Sequence, residues 1–378
     1  MGKIYLVRTV YSPNKAETNR LLSILQGFSD LGIDVNVVFF IPDSNRSKIE
    51  KNYPHVRISY LWEKCPITNR YLKQFVYDLN SIRFVQDLNE GDVVVVLDRS
   101  RILFRLFKKK RVRVFHEQTE HPDAYHLRTI NNDRYKKEVH KLDGLFVIST
   151  ALKKYYQEEL HVDEHKITII NMTVDYNRFK GLEKKPSERY IAYCGTASNN
   201  KDGVDELIKS FALVHRKHPD IKLYIIGKAP DKEDTAGNLQ LIDRLGINDY
   251  VVFTGIVQAP EMPQLLKNAE IVALDRPDSL QAKHGFPTKL GEYLLTENPV
   301  VVTKVGDIPL FIKDGVTGLL AEERDPEDFS AKLIWALEHP IEAAVIGKRG
   351  AELAMKEFNY LNETKKMLKS IGRYDEKE

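Results

Sequence analysis

Lys283-His284-Gly285-Phe286-Pro287-Thr288-Lys289-Leu290-Gly291-Glu292-Tyr293-Leu294-Leu295 runs on through Thr296-Glu297-Asn298-Pro299 into the apolar run Val300-Val301-Val302-Thr303. The stretch reads as a glycine-bearing loop that feeds a helix start, a helix with one acid inside it, and an Asn-Pro turn into a buried strand. The first N–H groups of a helix lack partners within it and sit at the positive end of its dipole, so they favour an anion. A carboxylate just past that end, as Glu292 is, can accept two hydrogen bonds from a diol. This order of elements suits a phosphate-and-ribose site. Such a unit is more often plain α/β scaffold, so the rest of the chain has to decide.

Working outward, the residues before this stretch repeat its pattern. Tyr190–Cys194, Leu223–Ile226, Val251–Thr254 and Ile271–Leu274 read as strands, and Val204–Val214, Asn238–Leu245 and Pro263–Asn268 carry helical periodicity. A charged stretch with glycine and proline, Lys180-Gly181-Leu182-Glu183-Lys184-Lys185-Pro186-Ser187, marks a linker and places a boundary near residue 183. Ahead of it, strand-like runs at Ile4–Val7, Asp34–Phe40, Val93–Leu97, Val112–Phe115, Leu145–Ile148 and Ile167–Ile170 surround a helix from Lys15 to Leu31. Near-continuous valine and isoleucine without alternation suits parallel strands covered on both faces. The expectation is an α/β protein of two doubly wound domains, 1–182 and 183–358.

Length and composition agree. At 378 residues, with about 150 residues per domain, two or three cores are expected. The 42% hydrophobic and 29% charged content, and a net charge of +3 from 57 basic and 54 acidic residues, describe a soluble globular chain and do not point to nucleic acid. Cys65 and Cys194 are too few and too far apart for a disulfide framework or a zinc site, which fits a reducing cytoplasm. The N-terminus goes straight into a strand-like run, and no run approaches a membrane-spanning length.

Ligands of doubly wound sheets bind beyond the carboxyl ends of the strands. Gly195-Thr196-Ala197-Ser198-Asn199-Asn200-Lys201-Asp202-Gly203 follows one strand and offers amides, hydroxyls and a lysine to a diphosphate, although it is neither a Walker loop nor a GxGxxG fingerprint. His116-Glu117-Gln118 follows another, where an imidazole could serve sugar or phosphate chemistry or bond to a neighbouring loop. The segment 99–113, with eight basic residues interleaved with Ile102, Leu103, Phe104, Leu106 and Phe107, suits an anionic membrane surface or a solvated face. No nucleic-acid recognition motif stands beside it.

Gly195…Lys201-Asp202-Gly203, Phe253-Thr254-Gly255-Ile256-Val257, Gly285-Phe286…Glu292-Tyr293 with Asn298-Pro299-Val300-Val301, and Gly315-Val316-Thr317-Gly318-Leu319-Leu320 resemble, in order, the C-terminal domain of family 4 glycosyltransferases. Asn171…Asp175…Phe179 resembles the end of that family's first domain, so the likeness spans roughly residues 165 to 340. Before that, His116-Glu117 is the main point of contact. The resemblance implies a GT-B fold, two Rossmann-like domains facing across a cleft, with a C-terminal helix at about 359–378 that packs back on the first domain. It also implies retaining transfer from a UDP- or GDP-linked sugar to a saccharide or lipid-linked acceptor, in bacterial polysaccharide assembly and without a metal or other cofactor. Glu292 falls on the ribose-binding glutamate, Lys201 on the phosphate-binding lysine, Ile256 and Val257 on the base contacts, and His116 on the histidine that faces the donor sugar.

Gly195, Thr196, Thr288 and Lys289 complete the expected nucleotide set, and His284, Gly285, Phe286 and Pro287 the donor-sugar set. Lys201, Lys289 and His116 are the expected catalytic residues. Two positions depart from the pattern: His284 stands where the family often has a glutamate, and Thr196 where it often has an arginine. The expected location is cytoplasmic, peripheral on the inner face of the membrane. An epimerase of the same fold, or a catalytically reduced binding subunit, are the alternatives. A dehydrogenase lacks its GxGxxG in both halves.

Overall fold

Short runs of valine and isoleucine set the architecture. The computed structural model describes residues 2–13, 15–63, 69–109, 111–124, 132–185, 188–229 and 232–374. The chain divides into a first unit, Met1–Asn171 with Tyr360–Glu378, and a second, Met172–Asn359.

In the first unit, β1 (Ile4–Arg8), β2 (Val35–Phe39), β3 (Val56–Tyr60), β4 (Val93–Val96), β5 (Arg113–Gln118), β6 (Gly144–Val147) and β7 (Ile167–Ile169) form one sheet in the order β3-β2-β1-β4-β5-β6-β7. All pairings are parallel. The core joins Leu6, Val37, Val95 and Phe146 of the sheet to Leu25 and Phe28 of the helix Ala16–Asp30, and to Met367, Leu368 and Ile371 at the C-terminal end. The helix Tyr360–Ser370 therefore belongs to the first unit. It packs so closely on Ala16–Asp30 that a Cβ on Gly27 would lie 2.2 Å from the Thr364 hydroxyl.

The chain leaves this unit at Asn171, ahead of the boundary expected near residue 183. The cause is a buried clamp. Arg20 pairs with Glu117 at 2.8 Å and donates to the carbonyls of Ile170 and Asn171, while Asn171 N donates to Glu363. Beyond it Val174 N donates to Phe358 O, so the charged stretch from Lys180 to Lys185 is part of the second unit. Pro186 and Ser187 lie outside the described residues.

In the second unit, β8 (Tyr190–Cys194), β9 (Lys222–Ile226), β10 (Val251–Gly255), β11 (Ile271–Leu274), β12 (Val300–Thr303) and β13 (Leu319–Ala321) pair in parallel in the order β10-β9-β8-β11-β12-β13. Both sheets are thus doubly wound, with the strand order reversing beside β1 in one and beside β8 in the other. Such a reversal opens a crevice at the carboxyl ends of the two strands next to it. In the second unit those are β8 and β11.

Four stretches differ from the sequence reading. β3 alternates buried and exposed residues, and β13 has three residues, so neither carries the continuous apolar signal of the others. β5 extends through Gln118, which puts His116 inside a strand: its register with β6 continues to Gln118 opposite Val147. The segment 99–113 is not one amphipathic helix but a short helix, Ile102–Leu106, a turn, and the start of β5. Several of its cations have partners: Arg99 donates to Pro122 O, Arg105 pairs with Asp78, Arg111 with Glu90, and Arg113 donates to Ile371 O. Lys110 lies outside the described residues.

Candidate functional site

At the reversal of the second sheet, the helix Lys289–Leu295 is fixed to the end of β8 by two side chains one turn apart. Tyr293 Oη accepts from Cys194 N at 2.6 Å and donates to Cys194 O at 2.9 Å. Lys289 Nζ donates to Asp202 Oδ2 at 2.6 Å and to Tyr193 Oη at 3.2 Å. An ammonium has three donors, so one is left for a ligand oxygen.

The loop after β8 closes over this lysine. Gly195 has φ +156°, and a Cβ there would fall 2.4 Å from Lys289 Nζ and 2.7 Å from Tyr193 Oη. A side chain here would have to displace the Lys289 ammonium and the Tyr193 hydroxyl. At the other end of the loop Gly203 has φ +60°, and a Cβ would sit 1.9 Å from Asp275 O, which presses the loop against the end of β11. Between them Ser198 caps the turn Asn199–Asp202, which carries half-buried Lys201 and buried Asp202.

Electrostatics at this point favour an anion. Burial disfavours the Asp202 charge, yet the Lys289 and Arg276 charges, with hydrogen bonds from Lys289 and Tyr193, hold its carboxyl below the usual range. Burial pulls Lys289 below the ordinary lysine value, against the pull of Asp202. Asp275, beyond β11, is pushed well up by burial and then by Glu206 and Asp205, toward its uncharged form. Lys289 and buried Arg276 therefore both act on the Asp202 carboxylate, Lys201 precedes it in the chain, and the second carboxylate of the helix, Glu292, is paired with Arg178.

Glu292 lies on the same helix and is mostly buried. Its Oε1 is paired with Arg178, whose other Nη donates to Ala259 O at 3.3 Å in the loop after β10. Ile256 and Val257 are in that loop, Ile256 66% exposed. One guanidinium thus ties the expected ribose carboxylate to the expected base loop. Asp175 holds Arg178 in place by capping the turn Tyr176–Arg178.

The other expected residues divide. Thr196 is exposed and Thr288 half-buried. His284 ends a short helix, Leu280–His284, and its Nδ1 bonds back to Leu280 O at 3.0 Å, so the stretch read as a loop up to Gly285 is partly helical. Gly285 and Pro287 are buried, and Phe286 packs in a ring trio with Phe311 and Phe358. Phe286 is therefore a core side chain, and only its backbone is available to a ligand.

His116 belongs to the first unit and is fully buried. Its Nδ1 lies 2.9 Å from Tyr135 Oη and its Nε2 3.2 Å from Asp98 O, with Gln118 Nε2 also bonded to the ring. Burial, then the Arg99 charge, pull it down to about 3, so it is a neutral interior imidazole. Both of its ring nitrogens have partners within the first unit.

Tyr193, Arg276 and Arg178 were not singled out from the sequence, and Asp202 stood in the quoted loop motif without a role of its own. Arg276 had a usable signal, since it follows the carboxyl end of a strand. Among the described residues no group of three or more His, Cys, Asp or Glu side chains could hold a metal ion, and no helix is long and apolar enough to cross a membrane.

Residues 188–339, within the second unit, match the model of the family described as Glycosyl transferases group 1. The chain is 26% identical over 209 residues to D-inositol 3-phosphate glycosyltransferase of Segniliparus rotundus, covering 53% of this chain and 44% of that protein. It is 23% identical over 357 residues to mannosylfructose-phosphate synthase of Agrobacterium fabrum, covering 87% and 75%. The chain spans about half the length of most of these curated relatives. Among solved structures, HepE of Anabaena in complex with UDP and glucose superimposes with a TM-score of 0.77 at 17% identity, covering 99% of this chain and 100% of that one. Sucrose-phosphate synthase of Thermosynechococcus elongatus gives 0.75 at 15% identity, covering 98% of each. The fold is that of GT-B proteins, built from two Rossmann-like units.

Proposed function

We propose that this chain, whose second unit carries a group 1 glycosyl transferase domain, moves a sugar from a UDP- or GDP-linked donor to a hydroxyl of a saccharide or lipid-linked acceptor, with retention at the anomeric carbon. The observation that supports this most is the cationic crevice at the β8/β11 reversal, with Glu292 less than a turn beyond Lys289.

In this reading Lys289, Lys201 and Arg276 receive the diphosphate, Glu292 accepts from the ribose hydroxyls, and the loop at Ile256–Val257 meets the base. Arg276 supplies a guanidinium that Thr196 does not. The bond from the anomeric carbon to the terminal phosphate oxygen breaks, and the acceptor oxygen bonds that carbon from the same face. The acceptor's proton passes to the departing phosphate oxygen, so no carboxylate pair is needed. What the protein contributes is fixed positive charge where negative charge develops, worth about 3 kcal/mol for a well-placed donor. No metal or other cofactor has a step in this scheme. Gly285 and His284 are the nearest candidates for the donor sugar.

Relatives that carry transferase and synthase names favour transfer over the epimerase reading. For location we propose the cytoplasmic side of a membrane, where a lipid-linked acceptor would lie. The deciding test is a thermal-shift screen of UDP- and GDP-sugars followed by product analysis. A matching donor raises the melting temperature by mass action and is consumed only with an acceptor. Sugar-nucleotide isomers formed without acceptor would mean epimerisation, and binding without nucleotide release would mean a binding subunit.

A further inference from the structure

The helix Arg70–Asp87 of the first unit turns apolar side chains outward. Tyr71 is 84% exposed, Leu72 57%, Phe75 60%, Leu79 42% and Ile82 40%, and these are all the exposed large apolar residues of the first unit among those described. Their spacing puts them on one stripe of the helix, while Tyr77, Ser81 and Val85 face inward. A contiguous apolar stripe of this kind on a soluble unit marks a surface that something covers.

The charge beside the stripe identifies the covering partner. The short helix Ile102–Leu106 lies along it: Arg105 pairs with Asp78 at 2.7 Å, and Lys109 Nζ donates to Gln86 O at 2.8 Å. Arg101, Arg105 and Lys108 are spaced to share one face of that segment, and Arg101 and Lys108 are exposed, as is Arg83. From residue 69 to 111 the chain carries ten basic and five acidic residues, although its total net charge is only +3. Two of those acids, Asp92 and Asp98, are turned to the backbone N–H groups of Lys3 and Thr9, on either side of β1. An apolar stripe with a cationic rim is complementary to an anionic bilayer. Two copies of this chain paired on the stripe would instead bring like-charged rims together.

We propose that the Arg70–Asp87 helix, with the cations of the 99–111 segment, forms a docking face for anionic phospholipid: the stripe enters the headgroup boundary and the rim holds lipid phosphates. The face locates membrane contact on a helix outside the basic segment that first suggested it, and it does not depend on the transfer reaction.

The test is sedimentation of the full chain with phosphatidylcholine vesicles, with and without phosphatidylglycerol, at low and high salt. Binding is expected only with phosphatidylglycerol, weaker in high salt. The double variant Phe75→Ser, Leu79→Ser and the double variant Arg101→Glu, Lys108→Glu should each weaken binding by at least about tenfold, given roughly fivefold per cation near an anionic surface. All four positions are surface ones, and the melting temperature of each variant checks the fold. The proposal is overturned if the wild type ignores anionic vesicles at low salt or if both variants bind as wild type does. It is also overturned if the chain is a dimer that Phe75→Ser, Leu79→Ser dissociates, which assigns the stripe to a second copy. Nucleotide-sugar binding, read by thermal shift on the same variants, stays unchanged, so failure of the lipid face and failure of the transferase reading are separable.

Discussion

The two sheets share the strand order 3-2-1-4-5-6, with one further strand at the first unit's edge, and they differ in what stands at the reversal. In the first unit, β5, one strand beyond the pair β1 and β4 that flanks it, carries His116, neutral, buried and bonded to Tyr135, Gln118 and a backbone carbonyl. In the second, glycines bring the backbone onto a lysine whose charge is only partly balanced by Asp202. One topology therefore supports a closed polar interior in one place and a candidate anion site in the other. Loop glycines and unbalanced cations make that difference, as expected where function is grafted onto a common fold.

The contrast breaks most sharply at Lys289. Lys289→Ala should lower kcat/KM by about a hundredfold, on the order of 3 kcal/mol, and should also destabilise the fold because buried Asp202 loses its partner. Steady-state kinetics and urea denaturation check the two effects. Adding Asp202→Asn should recover stability but not turnover, and recovery of both would remove the phosphate role. Acid should loosen the same pair. Asp202 has a depressed carboxyl, so its stabilisation is present above the unfolded value of about 3.9 and is lost as pH falls through its lower folded value.

Gly203→Ala forces a Cβ into Asp275 O at a left-handed φ and should cost about 2 kcal/mol or more, read from the denaturation midpoint. An unchanged midpoint would show that the loop does not rest on β11.

His116 should behave in the opposite way to an active-site base. Its folded value near 3 lies below the unfolded value of about 6.5, so the unfolded state binds the proton first and stability falls as pH drops from 6.5 toward 3. Between pH 7 and pH 5 this amounts to about 2 kcal/mol, and His116→Gln should remove that part of the slope. A variant that keeps the wild-type slope but loses activity would restore His116 to the chemistry.

The smallest effect belongs to Arg178. Arg178→Ala frees Glu292 from its tie to the Ala259 carbonyl and should weaken nucleoside-diphosphate binding by about tenfold, roughly 1.4 kcal/mol. Calorimetry with UDP and 2′-deoxy-UDP, or the GDP pair, sharpens this: the preference for ribose should shrink in Arg178→Ala and vanish in Glu292→Ala. If Glu292→Ala keeps the preference, the carboxylate does not read the ribose.

Most of the scaffold was legible before the structure. Runs such as Val93–Val96 and Val300–Thr303 have to be buried on both faces, and local apolar continuity announces that. The alternating β3 and the three-residue β13 were not legible, because a short or half-exposed strand gains its pairing from neighbours and not from its own residues. In the site, Lys201, Lys289 and Glu292 could be picked out because they sit in a patterned stretch. Asp202, Arg276 and Arg178 acquire meaning only from partners 87, 74 and 114 residues away along the chain.

By itself, then, the sequence determined two doubly wound α/β units and the stretch Lys283–Thr303 as an anion-binding candidate, since periodicity, glycine and helix starts act locally. Only the tertiary structure decided that the chain leaves the first unit at Asn171, that Lys289 is held by Asp202 and Glu292 by Arg178, and that His116 is interior. Each of those outcomes depends on burial and on a charge brought from a distant part of the chain, and the energy of a charge is set by its surroundings more than by its identity.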